Sequence, residues 1–276
     1  FLRNIENMAK RIVTKIGDIF CVELGDGYKS YFQYIANDMT QLNSSVIRAF
    51  VGRYPMDYQP DMDELVKSEV AFYAHTVLRI GLVGDHWYKV GKSKDLGLDR
   101  LASAWFVGES STVYNPETDK FDDVDPLEHF YVWHCNESQI PIGKMTPEIS
   151  ESPMTTNGSV LSWFRIVERI KYGYTSADLY LNRYVKQKPW PWVESYLTYF
   201  DRMARLRYYF HFKGEKICRE VIRTSDGNFI NLSENDPEKD GYALFTGSFG
   251  DISWCAWNVT SEKFNTIWDK HHGKES

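Results

Sequence analysis

The residues from Lys15 to Tyr54, KIGDIFCVELGDGYKSYFQYIANDMTQLNSSVIRAFVGRY, leave the chain few ways to begin. Ile19, Cys21 and Leu24 are apolar, and Asp18 and Glu23 stand between them. Gly25-Asp26-Gly27 then turns the chain, because glycine accepts positive φ and Asp can bond its own backbone. Tyr28 to Ala36 is rich in aromatics (Tyr31, Phe32, Tyr34), which suit a pleated, half-buried surface. After a polar loop over Asn37 to Ser45, a third apolar run (Val46, Ile47, Ala49, Phe50, Val51) closes at Gly52. Three successive strands predict an antiparallel meander. None of these residues forms a nucleophile–base pair or a metal cluster.

The same stretch carries a family resemblance. Gly17-Asp18-Ile19-Phe20, the apolar Val22 and Leu24, then Asp26-Gly27-Tyr28 and an aromatic strand resemble the opening of the immunity protein 26 family of bacterial polymorphic toxin systems. A second stretch, Trp87-Tyr88-Lys89-Val90-Gly91-Lys92-Ser93, then Leu98-Asp99-Arg100 and Trp105-Phe106, is similar to that family's Trp-to-Gly strand, its Phe-Asp-Arg triplet and its aromatic cluster. Leu98 stands here in place of the Phe, and Ala102-Ser103-Ala104 in place of the proline that separates the last aromatics. The resemblance covers about residues 14–108. It implies a non-catalytic protein that occludes the active site or surface of a cognate bacterial toxin.

The chain has 276 residues, enough for one large domain or two ordinary ones. With 43% hydrophobic and 25% charged residues it reads as a soluble globular protein. The net charge of −6 argues against nucleic acid as a partner and suits a basic protein. The four cysteines (Cys21, Cys135, Cys218, Cys255) lie far apart in apolar stretches. They read as unpaired core residues, which predicts no disulfide, no zinc site and a reducing cytoplasm. No run of eighteen apolar residues occurs, so no membrane span and no membrane partner are expected.

Along the chain, Leu2 to Ile16 reads as a basic lead-in helix. Asp61 and Glu64 form a capping-box-like pair for a short helix over Met62 to Val70. Phe72 to Ile80 and His86 to Val90 read as strands, and Gly91 to Ala104 as a turn with one helical turn. Asn115 to Pro126 (NPETDKFDDVDP) reads as an acidic loop that enters an aromatic strand over Leu127 to Cys135. Gln139 to Gly158, with Pro141, Pro147 and Pro153, is the expected domain boundary. Trp163, Ile166, Val167 and Ile170 recur at helical spacing, with a strand as the alternative. Thr175 would cap a second helix with Ala177, Leu181, Tyr184 and Val185 on its buried stripe. Val193, Tyr196, Leu197, Phe200, Met203 and Ala204 suggest a third, with Asp201 and Arg205 paired at i, i+4. Ser225-Asp226-Gly227 and Gly250-Asp251 each mark a hairpin, over 217–232 and 242–259. Thr260 caps a last helix with Phe264, Ile267 and Trp268 inward and Lys270, His271 and His272 in its last turn. The expected fold is α+β: a mostly antiparallel β region over 14–135, a meander or barrel-like, then a helical segment, two hairpins and a C-terminal helix over 160–272.

Motifs that carry chemistry are sparse. Val90-Gly91-Lys92-Ser93 ends like a phosphate loop, but His86 stands where the first glycine is required. His129 and His134 fall on opposite faces of one strand, and no nucleophile lies in an activation motif. No catalytic residue, metal site or cofactor is assigned. Arg202, Arg205 and Arg207 beside Tyr208 and Tyr209 read as the wet face of a helix, with single-strand binding as the alternative. The acidic loop is the candidate contact surface: Asp119, Asp122, Asp123, Asp125 and Glu128 would steer a basic partner, and Phe130, Tyr131 and Trp133 would anchor it. The expected function is a non-catalytic immunity protein that binds a cognate protein toxin. The alternative is an enzyme, hydrolase-like, with its site at the junction of the two halves.

Overall fold

A computed structural model describes residues 12–152, 154–176, 185 and 187–271. The chain divides at Lys171/Tyr172 into two compact units, each with its own sheets and core. Both are mixed α and β, and strands predominate.

In the first unit the expected meander is present: β1 Asp18–Glu23, β2 Tyr28–Asp38 and β3 Ser44–Phe50 pair antiparallel in succession. A two-residue strand β4 (Tyr54–Pro55) continues along β2 after Gly52. Asp61 caps α1 (Met62–Leu65) by accepting from the amides of Asp63 and Glu64, while Glu64 pairs outward with Lys67. β5 (Val70–Thr76) ends earlier than expected, and Leu78–Val83 turns into α2. β6 (Tyr88–Lys92) and α3 (Leu98–Leu101) follow. Then come β7 (Trp105–Glu109), β8 (Thr112–Asn115), β9 (Lys120–Asp123), β10 (Phe130–Trp133), β11 (Ile140–Gly143), α4 (Pro147–Ser150), β12 (Thr155–Asn157), β13 (Val160–Leu161) and α5 (Trp163–Tyr172). The large sheet has the order β13-β5-β3-β2-β1-β6, and a second sheet the order β11-β10-β7-β12. Pairing is antiparallel except at β12 with β7 and β13 with β5. Among the described residues no sheet closes into a barrel.

Both faces of the large sheet are covered, which explains why β1 is buried at five consecutive positions. Phe20, Val22, Phe32, Ile47 and Phe72 face α2 and α5, where Leu78, Ile166 and Ile170 complete the core. Ile19, Cys21 and Tyr31 face the other way, against Leu65 and Val66. Further along that face, Ile35, Val46 and Tyr73 meet Phe106 and Trp133 of the second sheet. The residues 139–158 are built into this unit: β11 and β12 are strands of its second sheet, so the division falls beyond them, at the end of α5.

The two stretches that carry the family resemblance are neighbours in space. β1 pairs with β6, the buried Asp18 meets Lys89 Nζ at 2.7 Å, and Ser93 N donates to Gly17 O. Gly17 has φ +97, and a Cβ there would strike the Ser93 carbonyl. The glycine is therefore required by a left-handed turn and by a close backbone approach. The buried Gln33 amide donates to the carbonyls of Gly17, Ser93 and Asp95, and Arg48 Nε donates to Gln33 Oε1 at 2.8 Å.

The second unit is a five-stranded antiparallel sheet in the order β17-β16-β15-β14-β20. Its strands are β14 (Glu194–Asp201), β15 (Leu206–Lys213), β16 (Lys216–Arg223), β17 (Phe229–Ser233) and β20 (Trp257–Asn258); the short pair β18 (Glu238–Lys239) and β19 (Tyr242–Ala243) stands apart from it. The expected helix over 193–204 is β14 and the tight turn after it. Leu197 faces one core and Tyr196 the other, so burial on both faces produces an apolar run whose spacing also fits a helix. Asp201 caps the turn by accepting from the amides of Met203 and Ala204; it does not pair with Arg205, which has φ +56. The hairpin at Ser225-Asp226-Gly227 is present between β16 and β17. The one expected at Gly250-Asp251 is a helix, α6 (Phe249–Ile252), because Ser248 and Asp251 close a capping box and Phe249 and Ile252 are buried. α7 (Ser261–His271) starts where expected, with Thr260 Oγ1 accepting from Lys263 N. It covers Tyr209 and Val221 with Phe264 and Trp268, while α6 covers Leu197, Phe210 and Phe212 on the opposite face.

The lead-in helix over Leu2 to Ile16 lies outside the described residues except at 12–16, which are not helical. The stripe Ala177, Leu181 and Tyr184, and His272, also lie outside them. All four cysteines are unpaired; Cys21 is buried and the others are half-buried. Among the described residues no helix is long and apolar enough to cross a membrane.

Candidate functional site

The acidic segment is a β-hairpin where a loop was expected. β8 and β9 pair only with each other, in the register Thr112↔Asp123, Val113↔Asp122, Tyr114↔Phe121 and Asn115↔Lys120. Carboxylate-rich strands have low β propensity, so composition concealed them. Local contacts fix the hairpin. The Tyr114 and Phe121 rings meet edge to face at 5.5 Å. Tyr114 OH donates to Asp119 Oδ1 at 2.8 Å across the turn, where Asp119 has φ +53. Asn115 Nδ2 donates to Asp122 Oδ2 at 2.7 Å. Asp125 caps a 3-10 turn at Pro126–Glu128, and Glu128 pairs with Lys144 Nζ at 2.9 Å.

The expected acids therefore lie on the surface, but the expected anchors do not. Phe130 is 4% exposed and Trp133 1%, because β10 is a central strand of the second sheet; Tyr131 is half-buried against the same cluster. The rings that do reach solvent are Phe121, at 69% exposed, and Tyr114. Sequence reading missed them, since an isolated Phe between Lys and Asp carries no periodic signal. The hairpin thus offers two aromatic rings among Asp119, Asp122, Asp123 and Asp125, a pattern suited to a partner with basic side chains around an apolar recess. The second unit holds as many Lys and Arg as Asp and Glu, so the whole net negative charge belongs to the first.

A buried polar cluster ties the two sheets of the first unit together. Asp38 and His75 are fully buried. His75 Nε2 lies 3.0 Å and Trp133 Nε1 2.9 Å from Asp38 Oδ2, while the amides of Gln41 and Asn136 donate to Oδ1. Burial pushes the Asp38 carboxyl up, but the bonds from Trp133, Gln41 and His75 outweigh it and hold the group below the usual range. Burial lowers His75 despite Asp38, so the imidazole is neutral and carries its proton on Nε2. This carboxylate joins β2, β5 and β10, and with both groups sealed no substrate can reach them.

Burial, with the charge of Asp38, pushes the Cys135 thiol up to about 12; burial raises the other three thiols too, so none is an activated nucleophile. The Gly91-Lys92-Ser93 amides cannot cradle phosphate: Gly91 and Lys92 lie in β6 opposite Ile19 and Asp18, and Ser93 N bonds Gly17 O. His129 and His134 each bond a backbone carbonyl through Nδ1. Among the described residues no group of three or more His, Cys, Asp or Glu side chains is placed to hold a metal. In the second unit Glu220 is 2% exposed, and burial pushes it up to about 7 although Phe245 N donates to its Oε2.

No family model matches the chain, and no curated protein or solved structure matches it either.

Proposed function

We propose that this chain is a non-catalytic immunity protein that neutralises a cognate protein toxin, and that the β8–β9 hairpin forms part of its contact surface. The observation that carries the reading is the exposed Phe121–Tyr114 pair set among Asp119, Asp122, Asp123 and Asp125. Two further features support it: the resemblance over residues 14–108, and the location of the net negative charge in the unit that bears the hairpin. A basic toxin would be drawn in by the carboxylates, mainly through its association rate, and held by the rings. An enzymatic reading would draw on Glu220, a buried carboxyl near neutrality.

The test uses a basic toxin domain recovered by pull-down with this chain as bait, immobilised for binding kinetics. Replacing Asp122, Asp123 and Asp125 together by Asn removes three charges at constant size. Association is expected to slow about tenfold at low salt and to lose most of its salt dependence. Phe121→Ala is expected to speed dissociation about tenfold or more, with little change in melting temperature, because the ring is 69% exposed. Unchanged kinetics in both variants, with the toxin still neutralised, would place the contact elsewhere.

A further inference from the structure

The second unit carries an exposed arginine–aromatic surface that the immunity reading does not use. Register places Phe200, Arg207, Arg223 and Phe229 side by side across β14, β15, β16 and β17, on one face of the sheet. Thr198, two residues before Phe200, pairs with Trp257 of β20, so Trp257 shares that face. Trp257 and Phe200 are diagonal neighbours, about 7–8 Å apart. α7 covers the same face over Tyr209 and Val221 and reaches Phe229, whose ring stacks on His271 at 3.8 Å, so Phe200 and Trp257 are the rings of this row that stay exposed. Trp257 is 62% exposed, Phe200 and Arg223 are exposed, and Arg207 is half-buried.

The guanidiniums lie against the rings: Arg207 is 5.1 Å from the Phe200 centroid and Arg223 5.8 Å from that of Phe229. Arg202 and Arg205 extend the positive surface through the β14–β15 turn. None of these four arginines makes an ion pair with a carboxylate among the described residues. In a unit whose charges balance as a whole, four guanidiniums without a carboxylate partner, gathered at Arg207, Arg223 and the adjoining turn, call for an anionic ligand, and the exposed rings of Phe200 and Trp257 beside them call for one with π faces.

We propose that this face binds single-stranded nucleic acid, with bases stacked on Trp257 and Phe200 and phosphates held by Arg207, Arg223 and the turn arginines. Base–aromatic stacking and arginine contacts to phosphate are the two components of such sites. A duplex fits less well, because its bases are already stacked on one another and offer no free face to the rings. The chain's net charge of −6 led the sequence reading away from nucleic acid, but the acidic excess lies in the first unit. Arg202, Arg205 and Arg207 were also assigned there to a helix; the pairing of β14 with β15 is what sets Arg207 beside Phe200.

The experiment measures fluorescence anisotropy of a labelled oligo-dT about 12 nucleotides long with the full chain at low salt. Binding is expected, and Arg207→Gln with Arg223→Gln should weaken it tenfold or more and reduce the salt slope by about 1.4, two phosphates at ~0.7 each. Trp257→Leu, at an exposed position, should weaken binding about tenfold without altering the salt slope or the melting temperature, so it decides the matter if the double variant melts early. The proposal is overturned if the parent does not bind, if Trp257→Leu binds as well as the parent, or if the duplex form or polyglutamate binds as tightly as the single strand. The last outcome would make the face a dock for an acidic protein.

Discussion

Replacing Asp38 by Ala is expected to destabilise the first unit by about 3–5 kcal/mol, the range for removing one member of a buried, hydrogen-bonded charged group. The substitution leaves Trp133 Nε1 and His75 Nε2 without their acceptor in a dry interior, and frees the part-buried amides of Gln41 and Asn136. It also removes a side chain that bonds β2, β5 and β10 together, and so loosens the large sheet from the second. Asn should recover less than half of the loss. Its amide can accept on one side only, and on the other its NH2 faces further donors. Urea unfolding followed by tryptophan fluorescence reads the effect; a change within about 0.5 kcal/mol of the parent would mean that the four bonds contribute nothing net. The pH dependence follows from the same groups. Both folded-state values are depressed, so each group's contribution is complete above its unfolded value and is lost on acidification. For His75 the loss begins as pH falls below about 6.5, and for Asp38 below about 4. In Asp38→Ala the second step should disappear.

Glu220→Gln is expected to stabilise the second unit by about 3 kcal/mol at alkaline pH and by nearly nothing at pH about 4. The folded-state value is raised, from 4.5 to about 7, chiefly by burial. The sign is therefore opposite to that of Asp38. The stability tied to neutral Glu220 is present below the unfolded value and is lost as pH rises through about 7. Gln keeps an acceptor for Phe245 N and has no charge to desolvate. His211 in the same unit is lowered by burial and by Arg219, so it loses stability on acidification and partly masks the effect in the parent alone. The measurement is therefore the difference in urea midpoint between the variant and the parent at each pH. A difference that stays flat from acid to alkaline pH would mean that the Glu220 carboxyl titrates normally and is not held neutral by the core.

The sequence alone determined the elements whose signals are local. The β1–β2–β3 meander, the Asp61 and Thr260 caps, the α5 stripe and the Ser225-Asp226-Gly227 turn all rest on contacts within a few residues, and they stand where the residues place them. Unpaired cysteines were legible for a similar reason, since their spacing and apolar surroundings left no pairing to expect. Tertiary structure decided the rest. At 193–204 an apolar run is compatible with a helix and with a strand buried on both faces, and only the cores packed on either side of β14 choose between them. At 250–251 the Gly-Asp pair predicts a hairpin turn, but Ser248, Asp251 and the burial of Phe249 close a helix there instead. The proposed contact surface divided in the same way. Its carboxylates could be found by counting, because charge density is a property of sequence. Its rings could not, because which of Phe121, Phe130 and Trp133 reaches solvent depends on which strand lies at the centre of a sheet and which pairs only with its own hairpin.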